Sequence, residues 1–330
     1  MMLVSRTPLR ISFFGGGTDY PEYFNRAHGA VLGMAIDKYV YIAALQLSSV
    51  LDYRYRISYS RIETVSAIED IQHPVVRNVL SHFRVEDPLD LSIMADLPAR
   101  SGLGSSSSFT VGLLNLINAL QNRQMTKYDL ARTAIFVEQQ LLAENVGVQD
   151  QYHATYGGLS RYDFRGGRTQ ITPVQMTAPC FAAMTGSLFL LYTGKVRFAS
   201  AALTEQMERM RTGTLDRSLS HLLALTYQAV DVLEGTDPER MLAEFGGMLH
   251  DGWETKKSLS SKVSNPDIDA LYDAARAGGA LGGKLCGAGS GGFLLVLVPP
   301  ARQAVFRERL RDVAIVPVGL DVAGSVLLSR

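Results

Sequence analysis

"PARSGLGSSSSFTVGLL", residues 98–114, sets two glycines and four consecutive serines directly ahead of an apolar run. Phe109, Leu113, Leu116, Ile117 and Leu120 recur at three-and-four spacing, which predicts a core-facing helix that opens at the serines. The first N–H groups of a helix lack internal partners and sit at the positive end of its dipole. Gly102 and Gly104 let a ligand approach the backbone, and Ser105, Ser106 and Ser107 add hydroxyls to the exposed amides. The stretch is therefore a candidate phosphate cradle. Ser105 acting only as an N-cap is the plainer alternative, but one serine suffices for capping, and four after Gly-Leu-Gly favour a ligand.

Two further glycine-rich stretches flank it, Phe14–Tyr20 (FGGGTDY) and Gly282–Gly292 (GGKLCGAGSGG). Two familiar nucleotide motifs fail in the second of these. Gly278 to Lys284 fits G-x-x-x-x-G-K, yet Leu285 stands where a Walker A loop needs Ser or Thr. Gly287, Gly289 and Gly292 fit G-x-G-x-x-G, yet the strand-like FLLVLV follows where a dinucleotide fold needs a helix. Residues 282–292 are thus expected to form a flexible clamp near the cradle.

Around these motifs the chain reads as strands over 3–14, 31–47 and 89–95, then the cradle helix. A second helix opens at Thr126 with Asp129 three places on and runs to about Glu144. Strand-rich stretches cover 159–164 and 181–192, and helices dominate from Ala199 to Ala277, broken near Gly213, Pro238 and Pro266. A strand over 293–298, a helix over 301–313 and a strand over 314–328 close the chain. Strands and helices mixed without regular alternation indicate an α+β fold, divided into residues 1–176 and 177–330.

The 330 residues are 47% hydrophobic, enough for a full core, and Lys+Arg and Asp+Glu are both 32. That balance disfavours nucleic-acid or membrane-surface partners. Cys180 and Cys286 form no paired motif and read as buried thiols in a reducing, cytoplasmic setting. MMLVSRTPLRISFF carries no signal-peptide pattern, and no apolar run reaches membrane-spanning length.

Three charged residues stand out. Glu138, on the edge of the second helix's apolar face, is either a partly buried carboxylate awaiting a cation or a surface group pairing with Arg132. Asp150 sits in a glycine-flanked loop, as a turn residue, a cap or a functional acid. Arg10 enters the first glycine loop from its strand or faces solvent.

The three glycine stretches, in this order along the chain, resemble the GHMP small-molecule kinases. The resemblance implies a two-domain fold, an N-terminal ribosomal-protein-S5-like domain followed by a C-terminal ferredoxin-like α/β domain. It implies that Pro98, Gly102, Leu103, Gly104, Ser105, Ser106 and Ser107 bind ATP phosphates, with Gly287 and Gly289 closing near them. It further assigns Asp150 as catalytic base with Arg10 beside it, and Ser106 with Glu138 as Mg²⁺ ligands. RTPLRISFFGGGTDYPEY, GVQDQYHATYGG and GGKLCGAGSGGFLL are similar to the D-glycero-D-manno-heptose 7-phosphate kinases, which phosphorylate the anomeric hydroxyl on the way to nucleotide-activated heptose. Phe14 and Ser290 stand where that group is expected to carry glycine, which predicts stiffer first and third loops.

Galactokinase-like sequences carry Glu-His before Thr-Asp-Tyr, whereas Gly16 and Gly17 stand there in this chain, which removes a carboxylate and makes room for an anionic sugar. Gly16, Gly17, Thr18 and Asp19 are thereby candidate substrate contacts. Lys195, Arg197, Lys256, Lys257 and Lys284 are candidates for the substrate's own phosphate, Lys284 foremost because it sits inside a glycine loop. The expected partners are ATP and a sugar phosphate, and the resemblance leaves room for a homodimer. The rival readings are a kinase of L-fucose or another hexose, and a non-catalytic sugar-phosphate sensor.

Overall fold

A computed structural model describes residues 2–194 and 200–329 of the chain. Lys195 and Arg197 lie outside the described residues.

The first half is built on a long antiparallel pair, β1 (Met2–Phe14), then α1 (Pro21–Phe24), then β2 (Gly29–Gln46). After them come β3 (Tyr55–Ser58), β4 (Ile62–Val65), α2 (Pro74–His82), β5 (Leu89–Ala95), α3 (Ser105–Leu120), α4 (Lys127–Phe136), α5 (Gln149–Tyr156), β6 (Leu159–Arg165) and β7 (Arg168–Pro173). The second half runs α6 (Ala178–Thr185), β8 (Leu188–Tyr192), α7 (Ser200–Arg211), α8 (Asp216–Leu233), α9 (Pro238–Lys257), α10 (Pro266–Ala277), β9 (Gly282–Leu285), β10 (Phe293–Leu297), α11 (Gln303–Arg309), β11 (Ile315–Pro317) and β12 (Val326–Ser329). Two sheets result, one of order β12-β1-β2-β5-β3-β4 with β6 and β7 branching from β2, and one of order β11-β8-β10-β9. The fold is α+β in two domains. Among the described residues no helix is long and apolar enough to cross a membrane.

The length of β2 explains the branching: its Val40–Gln46 end pairs with β5, while its Gly29–Met34 end pairs with β6. Helix α3 lies against β1 and β2 where Gly112 comes close to Thr7 and Ile42, and its start meets the middle of β1, the Ser108 hydroxyl donating to the Pro8 carbonyl and the Arg10 amide to the Leu103 carbonyl. Helix α5 seats on β2 where His153 packs over Gly33; a Cβ on that glycine would overlap the imidazole.

Several expectations are corrected. Residues 181–192 are not a continuous strand: Thr177 caps α6 by accepting from the Cys180 amide, and the strand begins only at Leu188. The capped start at Thr126 forms, its hydroxyl accepting from the Asp129 amide, but α4 gives way at Val137 to a π turn over Val137–Leu141 and does not reach Glu144. The expected strand over 314–328 is two short strands in different sheets, so β12 returns to pair with β1 although it lies beyond residue 176. Gly282–Leu285 is a fully buried strand rather than clamp. Phe14 places its ring in the core, edge-on to Phe245 at 5.4 Å. Ser290 adopts the left-handed conformation that favours glycine (φ 70°), braced by bonds from its hydroxyl to the Lys262 carbonyl and from its amide to the Val263 carbonyl.

The second domain keeps α9 unusually close to β9 because both carry glycine at the crossing. A Cβ on Gly282 would overlap the carbonyl oxygen of Gly246, and one on Gly246 would overlap the Leu281 side chain. This approach brings Lys256, at the end of α9, beside Lys284 on β9. Gly282→Ala is expected to destabilise the protein by about 1–3 kcal/mol through overpacking, read as a lowered urea midpoint at unchanged m-value.

Candidate active site

Arg10 leaves β1 and ends against α5. Its Nε donates to Asp150 Oδ1 and its Nη2 to Asp150 Oδ2, both at 2.7 Å, a two-pronged pair with Arg10 buried and Asp150 partly exposed. Its third nitrogen, Nη1, donates to the Gly102 carbonyl at 2.6 Å, and its backbone N–H donates to the Leu103 carbonyl at 3.0 Å. One residue thus joins the first strand, the acidic helix and the glycine loop. Asp150 belongs to the first turn of α5, not to a loop as its flanking glycines suggest.

Gly104, left-handed at φ 75°, starts α3, and no side chain caps the helix. A Cβ there would crowd Arg10 and Asp150 at 3.1 and 3.3 Å. Gly102 (φ 84°) and Gly287 (φ 68°) touch backbone to backbone: a Cβ on Gly287 would lie 2.6 Å from the Gly102 Cα, and one on Gly102 would lie 2.5 Å from the Cys286 carbonyl oxygen. The second and third glycine stretches therefore form one floor, stitched by the Phe293 amide donating to the Ser101 carbonyl.

A cavity of about 270 Å³ opens above this floor. Of the residues singled out in the sequence, Arg10, Gly16, Gly17, Asp19, Gly102, Gly104, Ser105, Ser106, Asp150, Lys256, Lys284 and Gly287 line it. Others do not. Pro98 is exposed away from it, and Leu103 is buried and contributes only its carbonyl to Arg10. Gly289 packs on Val263, and Lys257 pairs with Glu254 at 2.8 Å. Thr18 is turned inward, its hydroxyl 2.8 Å from both the Gly15 and Ala30 carbonyls, to one of which its single proton is donated, and accepting from the Ala30 amide, so it shapes the loop from behind. Ser12, Arg100 and Gln149 also line the cavity and were not picked out from the sequence. Ser12 was legible as the residue two past Arg10, on the same face of a strand, and Gln149 as the neighbour of Asp150 in one helical turn.

Glu138 is fully buried rather than at a helix edge, and it does not meet Arg132. Its Oε2 accepts from the Ser107 hydroxyl at 2.8 Å and from the Gln151 side-chain amide. Ser107, not Ser106, is thus the serine bonded to this carboxylate; Ser106 is exposed toward the cavity. Glu138 Oε1 is buried without a partner, and burial pushes the carboxyl up to about 7. Asp19, 1% exposed, accepts from the Gly17 amide at 3.0 Å and is likewise pushed up by burial and then by the Asp150 charge. Burial lowers Lys284 to about 8 and carries Lys256 well below the ordinary lysine value, with repulsion from Lys284 adding to the second.

Residues 69–158 match the GHMP kinases N terminal domain and residues 238–315 match the GHMP kinases C terminal domain. The chain belongs to the GHMP kinases. Among its relatives, D-glycero-alpha-D-manno-heptose 7-phosphate kinase of Campylobacter jejuni is 28% identical over 323 residues, covering 93% of this chain and 92% of that one. A bifunctional fucokinase/GDP-fucose pyrophosphorylase of Arabidopsis thaliana is 25% identical over 92% of this chain, which spans 31% of that longer protein. The crystal structure of a D-glycero-D-manno-heptose 1-phosphate kinase from Bacteriodes thetaiotaomicron superposes with a TM-score of 0.78 over 99% of each chain at 22% identity, a likeness of fold. This GHMP kinase carries its glycine floor, acidic helix and two lysines around one cavity.

The raised Glu138 value fixes a pH dependence. A carboxyl held at about 7 when folded and near 4.5 when unfolded binds more protons in the folded state, so its stabilising contribution is full below pH 4.5 and is lost as pH rises through 7. In cation-free buffer the loss amounts to about 3 kcal/mol. Glu138→Gln is therefore expected to raise the thermal midpoint at pH 8 and to leave it nearly unchanged at pH 4.5, measured by differential scanning calorimetry with chelator present.

Proposed function

We propose that this GHMP kinase transfers the γ-phosphoryl group of ATP to the C1 hydroxyl of D-glycero-D-manno-heptose 7-phosphate. The observation that carries the reading is the Arg10–Asp150 pair standing beside the uncapped start of α3, in a cavity also lined by buried Lys284 and half-buried Lys256. The amides at the start of α3, with the Ser105 and Ser106 hydroxyls, suit the donor phosphates. Asp150 is the carboxylate that acts as base and accepts the acceptor's hydroxyl proton. Arg10 fixes the orientation of that carboxylate and offsets charge on the group in transit. Phosphoryl transfer asks for position and charge more than covalent help from the protein, and a rigid two-pronged pair supplies both.

A Mg²⁺ ion fits the donor set. Ser106 faces the cavity, and Glu138, which does not line it, lies buried behind Ser107 with an Oε1 that has no hydrogen bond. Among the described residues no group of three acidic, histidine or cysteine side chains could hold a metal by itself. When bound, the ion neutralises charge on the β- and γ-phosphates; Glu138 and Ser106 are the groups that would hold it.

The similarity to a fucokinase supports the competing acceptor, L-fucose, and the cationic wall speaks against it, because a neutral sugar leaves both lysines without a counter-charge. The test is ADP release from Mg-ATP with heptose 7-phosphate, L-fucose and galactose, with phosphorus NMR of the product. A new anomeric phosphate on the heptose is expected, and higher kcat/KM on L-fucose would reject the assignment. Asp150→Asn is expected to cut kcat about a hundredfold or more while ATP affinity changes less than about threefold, and wild-type turnover would remove Asp150 from the chemistry.

A further inference from the structure

The cavity's cationic wall is overcharged for the protein alone. Lys284 is 8% exposed, and its Nζ reaches across from the second domain to donate to the Phe13 carbonyl at 2.8 Å, directly before the Gly15–Gly17 turn. Lys256 points its Nζ at the Leu285 and Gly287 carbonyls. Among the described residues neither lysine forms an ion pair. An ammonium has three N–H donors, so the hydrogen bonds described leave two on Lys284 and one on Lys256 for a ligand. Lys256 feels the charges of Lys284 and Arg10, and Lys284 feels that of Arg10, at low dielectric, an arrangement that costs free energy until an anion arrives. Asp19 offsets part of this for Lys284, but the nearby carboxylates are engaged elsewhere. Asp150 is taken by Arg10, and Asp19 is held by the Gly17 amide and the Gln149 side chain.

Two neutral groups beside the lysines also lack partners. Ser12 Oγ and Gln149 Oε1 line the same cavity and are buried without a hydrogen bond. The Gln149 amide lies 3.9 Å from where a Cβ on Gly16 would stand, so glycine at 16 keeps the space between them open. A polyol supplies the O–H donors that such acceptors lack, and a phosphate supplies the counter-charge.

We infer that Lys256 and Lys284 hold a second anionic group of the acceptor, a phosphate remote from the hydroxyl that receives the γ-phosphoryl, while Ser12 and Gln149 receive sugar hydroxyls. This deepens the proposed kinase reading and rests on it. The two lysines are then the residues that separate a phosphorylated acceptor from the free sugar. They come from helix α9 and strand β9 of the second domain, so acceptor choice depends on how closely the two domains meet.

The experiment uses the full chain, saturating Mg-ATP and two matched acceptor pairs, heptose 7-phosphate against heptose and mannose 6-phosphate against mannose. Lys284→Met and Lys256→Met are each expected to lower the kcat/KM ratio of phosphorylated to free sugar by about tenfold or more, chiefly through acceptor KM. The KM for ATP should move less than about threefold. Equal losses on both members of a pair, or a rise confined to the KM for ATP, would overturn the subsite. Circular dichroism checks that each variant folds, and Lys256→Met, at a half-buried helix end, carries the test should Lys284→Met unfold. If mannose 6-phosphate outpaces heptose 7-phosphate while both variants still collapse the ratio, the heptose assignment fails and the subsite stands. If heptose 7-phosphate is preferred but the ratio survives both substitutions, the subsite fails and the heptose assignment stands.

Discussion

The guanidinium of Arg10 is the joint on which the site turns. Its planar fork grips both oxygens of Asp150 while its remaining nitrogen holds the Gly102 carbonyl, so the orientation of the acidic side chain and the height of the glycine loop are set together. Lysine at this position could supply the charge without the parallel pair of bonds. Because Arg10 sits on β1 between β2 and the start of α3, the rigidity of the first sheet passes directly to the reacting groups. The close approach of Gly104 to both Arg10 and Asp150 completes the constraint, since any side chain there would press on the pair.

Glycine serves a second purpose at the border between domains. Gly102 against Gly287, and Gly246 against Gly282, allow backbone to touch backbone where side chains would hold the halves apart. The first contact makes a continuous floor from two loops nearly two hundred residues apart, and the second sets Lys256 beside Lys284. The electrostatic pattern follows from that closeness. Burial drives up the carboxyls of Asp19, on the cavity, and of Glu138, bonded to Ser107 in α3, and drives down Lys256 and Lys284. Every one of these shifts disfavours the charged form in the free protein, so charged ligands that restore the missing counter-charges have the most to gain by binding.

Much of this was legible in the sequence, for reasons that differ by element. The strand over Leu89–Ala95 and the cap at Thr126 were readable because alternation and capping are local rules. The first domain's β3–β4 hairpin and α2 escaped notice, being four- and nine-residue elements whose patterns are too short to stand out. Helix α6 was misread because PCFAAM is apolar throughout, and periodicity cannot separate a short buried helix from a strand. Among site residues, the glycine-serine motif pointed to Gly102 and Gly104 and the family resemblance to Asp150 and Arg10, and the structure brings these together at one cavity. It could not show that the π turn after α4 carries Glu138 wholly into the core, nor that Ser107 and not Ser106 meets it, because both depend on helix phase in three dimensions. Thr18 looked like a ligand contact for the same reason: its neighbours face the cavity, and only the turn's geometry shows that its hydroxyl faces the opposite way.

The account's central claim is that the start of α3 holds the triphosphate within reach of the Arg10–Asp150 pair. A crystal structure with a non-hydrolysable ATP analogue and Mg²⁺ tests it most directly. The phosphate tail should lie on the amides of Ser105 and Ser106, its terminal phosphate directed toward Asp150. A tail bound elsewhere, with the helix start left to solvent, would contradict the account.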